Sequence, residues 1–144
     1  MSVLLDTNVV SEIRRGRDAN VAAWARTWED VDLYLSVLSV GEIRKGIERL
    51  RGRDPRQAEV FATWLGDLHE RFGDRILPVD TDVADDWGRL NAQAERKTVD
   101  SLIAATARVH DFTVATRNTA DFDDCDVRLL NPWQSPPAPP PASR

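Results

Sequence analysis

Four acidic side chains stand at positions from which a folded chain could bring them together. Asp6 closes a short apolar run, "SVLLD", and Asp121 follows a second such run, "FTVAT", by five residues. Glu42 and Asp100 each fall in the first turn of a predicted helix. Four carboxylates in a partly buried cleft repel each other and take up protons, and a divalent cation removes that conflict. Because the ligand set consists only of oxygen atoms, it favours Mg²⁺ or Mn²⁺ over zinc.

Each of these acids also has a purely structural interpretation. Asp6 could cap a helix, and Glu42 could form a capping box with Ser39. Asp100 would be stabilised by the positive end of its helix dipole. Asp121 could be one acid of a solvated loop. The arrangement of all four, more than any one position, supports a catalytic interpretation.

The elements that would position these acids alternate along the chain. Short apolar runs rich in β-formers predict strands, and apolar residues at helical spacing predict helices. The predicted strands are residues 2–6, 32–36, 75–80, 112–116 and 127–132. The predicted helices are residues 7–16, 18–30, 39–52, 54–74, 81–97 and 98–111. Because strands and helices alternate without tight hairpin turns, we predict an α/β fold with a central, mostly parallel sheet and helices on both faces.

Particular residues mark where these helices begin and end. Thr7 is predicted to cap the first helix and Gly16 to end it, while Asp18 caps the second. Asp54, followed by a proline in the first turn, is a further helix start. In parallel sheets, ligands bind outside the carboxyl ends of the strands. We therefore expect the four acids to converge on that edge of the sheet.

Composition narrows the class of protein. The chain has 144 residues, enough for one domain with a proper core, and no apolar run approaches the roughly 20 residues of a membrane helix. The start of the chain carries Asp6 and no basic leader, so we expect no signal peptide. A single cysteine, Cys125, excludes an internal disulfide and a cysteine-built zinc site, and fits a reducing cytoplasm. The net charge of −5 argues against binding nucleic acid through bulk charge.

The proline-rich end of the chain is predicted to lie outside the folded domain. Residues 131–144 read "NPWQSPPAPPPASR" and hold six of the eight prolines. Such a composition favours an extended, disordered segment. We therefore predict one domain over residues 1–133 and a disordered tail over residues 134–144.

Several motifs in this order give the chain a specific resemblance to a known family. From residue 2 to residue 133 it resembles the PIN-domain endoribonucleases, and among them most closely the VapC-type toxins of toxin–antitoxin modules, in the FitB-like branch. The motifs are "LLDTNVVSE" (4–12), "SVGEIRKGI" (39–47), "VDSLIAATA" (99–107), "ATRNTADF" (115–122) and "LLNPW" (129–133). One departure is the charged stretch "AERKTV" before Asp100, where an uncharged approach to the acid is expected.

The resemblance implies a role for each residue of the candidate site. The acidic quartet of the family corresponds to Asp6, Glu42, Asp100 and Asp121. Asp6 and Asp100 would be primary metal ligands, Asp121 a secondary or water-mediated ligand, and Glu42 the group that orients or deprotonates the attacking water. Asp123 and Asp124 would be ordinary loop acids. The hydroxyl and amide groups that bind substrate in the family correspond to Thr7, Asn8, Thr116 and Asn118.

The resemblance also implies a cofactor and partners. The cofactor would be Mg²⁺, with Mn²⁺ as a possible substitute, and the substrate would be RNA. A homodimer in the cytoplasm, with no membrane association, is the implied state. The implied partner is a cognate VapB-type antitoxin. We expect its tail to fold along a hydrophobic groove near the early helices, with Trp24 and Trp28 as candidate contacts, and to reach an arginine toward Asp6 and Asp100. The alternative is that both tryptophans belong to the core.

Other classes also place a carboxylate after the first strand. Haloacid-dehalogenase-like phosphatases use Asp-x-Asp there, but Asn8 stands at the second position. Phosphoacceptor receiver domains gather acids at the same edge. Both need a lysine late in the chain, and the two lysines here, Lys45 and Lys97, precede the "FTVAT" strand. A catalytically silent PIN-like scaffold that binds an antitoxin or RNA stays open as an alternative.

Overall fold

A computed structural model describes residues 1–134 as an α/β fold around a five-stranded sheet. The strand order is β3-β2-β1-β4-β5, and all four pairings are parallel. The strands are β1 (Val3–Leu5), β2 (Leu33–Ser36), β3 (Ile76–Leu77), β4 (Thr113–Ala115) and β5 (Leu129–Leu130). This confirms the predicted fold class.

Helices cover both faces of the sheet, as predicted. They are α1 (Thr7–Arg15), α2 (Ala19–Arg26), α3 (Val37–Arg51), α4 (Pro55–Phe72), α5 (Thr81–Gln93) and α6 (Thr98–His110). Helices α1 to α4 pack on one face, and α5 and α6 pack on the other. Since successive side chains of a strand point to opposite faces, Val3 and Leu5 join the first layer and Leu4 joins the second. Burial on both sides explains why the central strands are continuously apolar.

The capping residue of the first helix differs by one position from the predicted one. Asp6, and not Thr7, is the N-cap of α1, and its side chain accepts a hydrogen bond from the backbone amide of Thr7. Gly16 ends α1 as predicted, with φ of 65° in the left-handed region that glycine tolerates. The residue that closes β1 is therefore also the residue that starts α1.

The start of α3 differs from the prediction. Ser36, the last residue of β2, caps the helix by accepting a hydrogen bond from the amide of Leu38 at 3.0 Å. Ser39 lies buried inside the helix, and its hydroxyl has no hydrogen-bond partner. The predicted capping box between Ser39 and Glu42 was wrong, because the strand passes into the helix without a loop. Glu42 therefore lies in the second turn of α3 and is exposed.

The two tryptophans predicted as a potential docking surface belong to the core. Trp24 is fully buried, and Trp28 is partly buried against the same cluster, with ring centroids 5.9 Å apart. A partner cannot reach Trp24 without unfolding α2, so a docking site on this pair was wrong and the core alternative is confirmed.

Two further predictions concern regions at the margin of the structure. Between residues 1 and 134, no helix combines the length and the apolar character needed to cross a membrane. The predicted disordered tail, residues 134–144, lies outside the described residues except for Gln134.

Candidate active site

Asp6 occupies the centre of the carboxyl edge of the sheet. It follows the central strand β1, is only 7% exposed, and its backbone amide donates to the carbonyl of Ala115 at 2.9 Å. One carboxylate oxygen accepts from the amide of Thr7 at 2.8 Å. The other accepts from the hydroxyl of Thr116 at 2.8 Å and from the amide group of Asn8 at 3.4 Å. These donors fix the orientation of a carboxylate that burial alone would disfavour.

Thr7 connects this carboxylate to a second one. Its hydroxyl donates to Oε1 of Glu42 at 2.5 Å, across the space between α1 and α3. Glu42 is exposed, so its other oxygen is open to solvent. The structure thus brings Glu42 beside Asp6, although the helix position that the sequence predicts for it differs.

The turn after β4 completes the neighbourhood of Asp6. Thr116 is fully buried, and besides donating to Asp6 its hydroxyl accepts from the amide of Asn118 at 3.0 Å. Asn8 accepts from the amide of Arg117 at 3.3 Å. Because its hydroxyl both donates and accepts a hydrogen bond, Thr116 orients Asp6 and holds the turn. Asn118 is exposed and faces solvent.

Asp100 and Asp121 bring the remaining negative charge. Asp100 lies half-buried in the first turn of α6, and Asp121 lies in a 3₁₀ turn, Thr119–Phe122. Burial raises the pKa of Asp100, and the negative charges of Asp6 and Asp121 raise it further. Asp6, Glu42 and Asp121 thus all lie within electrostatic reach of Asp100.

Burial and neighbouring acids also shift the pKa of Asp6. Burial raises the pKa of Asp6 above its ordinary value, opposed by the hydrogen bonds from Thr116 and Thr7. The charges of Glu42 and Asp121 raise it again. Perturbation by burial together with neighbouring acids is typical of a functional site rather than of a helix cap alone.

Lys97, to which the sequence gives no role, also belongs to this site. Its ammonium group lies 3.3 Å from Oδ1 of Asp121, and its backbone is the N-cap position of α6. The signal in the sequence was the charged stretch before Asp100, which departs from the expected uncharged approach. The contact with Asp121 spans 24 residues, so spacing alone could not reveal it.

The neighbouring loop acids stand apart from the cluster. Asp124 pairs with Arg96 at 3.3 Å, and Asp123 is exposed. The main causes of the raised pKa of Asp6 and Asp100 are burial and the other acids of the candidate site. That both Asp123 and Asp124 are ordinary loop acids stays a prediction, which their substitution by asparagine would test.

The donor set fits a hard divalent cation by its chemistry. Within residues 1–134, no three Asp, Glu, His or Cys side chains already stand close enough to hold a metal ion. The charges of Asp6, Asp100 and Asp121 nevertheless act on one another, and their oxygens are the ligands that Mg²⁺ and Mn²⁺ prefer. A divalent cation bound between these carboxylates would neutralise their repulsion, so the three residues suit such an ion.

Comparison with known proteins identifies the family. The profile described as "PIN domain" matches residues 3–127. The chain therefore belongs to the PIN domain family. This membership sets aside the phosphatase and receiver-domain alternatives.

Individual relatives match over nearly their whole length. Toxin FitB of Neisseria gonorrhoeae is 37% identical over 145 residues, which cover 91% of this chain and 98% of the relative. VapC ribonuclease Y4jK of Sinorhizobium fredii is 35% identical over 139 residues, covering 92% and 98%. The crystal structure of FitAcB from Neisseria gonorrhoeae superposes with a TM-score of 0.84 at 38% identity, covering 91% of this chain and 98% of that one. These matches agree with the branch that the motifs indicate.

Proposed function

We propose that this protein is a Mg²⁺-dependent endoribonuclease, the toxin of a toxin–antitoxin module, which hydrolyses phosphodiester bonds in RNA. The observation that carries the proposal is the cluster of four carboxylates, in which Glu42, Asp100 and Asp121 neighbour the buried, hydrogen-bonded Asp6. Relatives named a toxin and a ribonuclease, at 37% and 35% identity, support it. Asp6 and Asp100 would hold the metal ion, with Asp121 as a secondary ligand.

The chemistry of a bound Mg²⁺ at such a site is to lower the pKa of water and to neutralise phosphate oxygens. Glu42 orients the attacking water and accepts its proton as the water oxygen bonds to phosphorus. The P–O bond to the leaving oxygen breaks, and that oxygen takes a proton from solvent. The hydrogen bond from Thr7 leaves one oxygen of Glu42 free for this role. The exposed Asn118 would contact the phosphate. Asn8 supports the turn that carries Asn118, and Thr116 positions Asp6.

Sequencing of RNA ends after brief induction in cells tests this function. We expect new ends within minutes when the native chain is induced. None should appear with Asp6→Asn, because its carboxylate is lost, while Asp123→Asn, an equal loss of charge outside the cluster, should behave like the native chain. Growth arrest without new RNA ends would instead favour the catalytically silent alternative.

The proposed antitoxin has a suitable binding surface on the face of α1, α3 and α4. A cavity of about 410 Å³, here called the α3–α4 groove, opens between these helices. Its apolar lining and its arginines are Ile43, Ile47, Leu50, Phe61, Trp64, Arg14, Arg15 and Arg53. Thr7 and Glu42 line its end, so the groove is continuous with the carboxylate site.

We infer that an antitoxin segment with apolar anchors and acidic flanks lies in this groove. The guanidinium of Arg14 lies over the rings of Phe61 and Trp64, at 4.3 and 5.4 Å from their centroids, which presents positive charge above an apolar floor. An arginine at the end of such a segment would reach the carboxylates beyond Glu42. We also propose that the protein acts in the cytoplasm, as a homodimer, as its resemblance to the family implies.

Filling the groove should separate the antitoxin from its toxin. Gly46 lines the groove, and a Cβ atom added there has no neighbour within 4 Å outside the local helix backbone, so Gly46→Phe should extend its ring into the groove and leave α3 intact. We expect the complex with the product of the neighbouring gene to weaken by about tenfold or more, measured by calorimetry.

The matched control for this prediction is Gly66→Phe. Gly66 is equally unobstructed and exposed on α4, but it does not line the groove. Its complex should keep the native affinity. Equal affinities for both variants would place the antitoxin elsewhere on the toxin.

A further inference from the structure

We propose that Lys97 binds a non-bridging phosphate oxygen of the RNA substrate, releasing Asp121 as it does so. This inference rests on the proposed ribonuclease function and adds a substrate-binding residue to it. In the structure as it stands, the ammonium group of Lys97 is paired with Oδ1 of Asp121 at 3.3 Å. The pair lies beside Asp100, in the first turn of the same helix.

The backbone of Lys97 is held firmly. Its carbonyl accepts from the amide of Ser101 at 2.9 Å and from the hydroxyl of Ser101 at 2.7 Å. That hydroxyl in turn accepts from the indole of Trp87 at 3.0 Å, which ties the start of α6 to α5. The base of the lysine side chain therefore has a fixed position at the rim of the site.

The preceding residue anchors the loop from the other side. The guanidinium of Arg96, whose side chain is only 9% exposed, donates to the carbonyls of Leu90, Ala94 and Asp124. It also pairs with the carboxylate of Asp124 at 3.3 Å. Arg96 thus joins the end of α5 to the loop that follows Asp121, and its largely buried guanidinium has a structural role.

The ammonium group of Lys97 is exposed to solvent, whereas the guanidinium of Arg96 is largely buried. The side chain of Lys97 is 73% exposed, and Asp121, its ionic partner among residues 1–134, is itself 35% exposed. A solvent-exposed pair of this kind contributes little to stability, so exchanging one anionic partner for another is easy. The lysine is therefore fixed at its base and available at its tip.

The net charge of the site indicates which anionic partner Lys97 would take. Four carboxylates and one divalent ion leave the site with a net charge of about −2, which would repel an incoming phosphodiester. Within residues 1–134, Lys97 is the cationic side chain that pairs with one of the four acids, Asp121. Binding a phosphate oxygen lets it offset that repulsion where the RNA backbone enters, while Asp121 becomes free to act as a ligand.

RNA binding, measured apart from cleavage, tests this inference. A fluorescent RNA oligonucleotide is titrated by anisotropy with chains that all carry Glu42→Gln, which removes the proton acceptor and keeps the three metal-binding acids, in Mg²⁺ buffer at several salt concentrations. Adding Lys97→Ala should weaken binding about tenfold and reduce the salt slope by about 0.7, the value for one lost contact to a single strand. Lys97→Arg should restore most of the affinity.

Lys45→Ala is the matched control, because it removes the only other lysine of the chain from an exposed position on α3. Its affinity and salt slope should stay at the values of the parent chain. If Lys97→Ala matches Lys45→Ala in both quantities, Lys97 does not bind RNA and the inference is overturned. A native chain that cleaves no RNA, with binding still dependent on Lys97, would overturn the proposed ribonuclease function and leave RNA binding by Lys97 standing.

Discussion

Replacing Asp6 by asparagine is expected to lower the rate of RNA cleavage by about a thousandfold or more. The substitution keeps the size of the side chain and an oxygen that can cap α1, but it removes the charge at the centre of the site. Asp100→Asn should show a loss of similar size, since Asp100 would share the metal ion. Single-turnover cleavage of a labelled RNA measures both effects.

The same substitution should leave the fold intact or make it more stable. Because burial raises the pKa of Asp6, the folded chain holds a proton there more tightly than the unfolded chain does. In the absence of metal, this difference stabilises the folded state at low pH. Ionisation of Asp6 then lowers the free energy of unfolding as the pH rises through the folded pKa. Asn removes this cost, so the melting temperature of the metal-free variant near neutral pH should equal or exceed that of the native chain.

Asp123→Asn and Asp124→Asn provide the controls of equal charge. Asp123 is exposed and Asp124 pairs with Arg96, so neither should change the cleavage rate more than about twofold. If Asp123 proved as essential as Asp121, the assignment of the acids in this loop would have to shift.

Removal of divalent ions should abolish cleavage altogether. Without a cation, the carboxylates repel both one another and the phosphate of the substrate. Excess EDTA should stop the reaction, and Mg²⁺ or Mn²⁺ should restore it. Cleavage that continued undiminished in EDTA would exclude the metal mechanism.

A measurement without substrate complements this result. An ion that binds only the folded chain raises its stability, by about 2.7 kcal/mol at a concentration of 100 times Kd. We therefore expect Mn²⁺ to raise the melting temperature of the native chain, and to raise it much less in Asp6→Asn. The expected loss of activity is thereby tied to the ion and not to a damaged fold.

The sheet and the position of its carboxyl edge follow from the sequence with little ambiguity. Val3, Leu4 and Leu5 are buried on both faces, and that is why a continuous apolar run marks a central parallel strand. A carboxylate directly after such a strand has few places to lie other than the ligand-binding edge. The prediction for Asp6 therefore needed only local information.

Details set by local competition or by distant packing were harder to predict. Ser36 and Ser39 are both plausible caps, and the choice depends on β2 passing straight into α3, which propensity does not reveal. Trp24 and Trp28 sit four residues apart whether they face the core or a partner, so only the packing of α2 separates the alternatives. The pairing of Lys97 with Asp121 joins two loops and leaves no periodic signal.

The α3–α4 groove is another feature that depends on packing between helices and could not be predicted from the sequence. Its lining comes from α1, α3 and α4, and Arg14 meets Phe61 and Trp64 only once these helices are packed. Apolar residues at helical spacing predict that each helix has a buried face. They do not predict where two such faces diverge and leave a cavity.

Thr7 and Glu42 line the end of the groove and also belong to the carboxylate cluster, so the two surfaces share an edge. An inhibitor seated in the groove covers part of the place where RNA must enter, and the two occupants exclude each other. With tight binding, each inhibitor molecule silences one enzyme molecule, and free activity equals the excess of enzyme over inhibitor. Cells carrying such a pair would respond as a titration does: no RNA is lost until the ratio passes one to one, and beyond that point the response is abrupt.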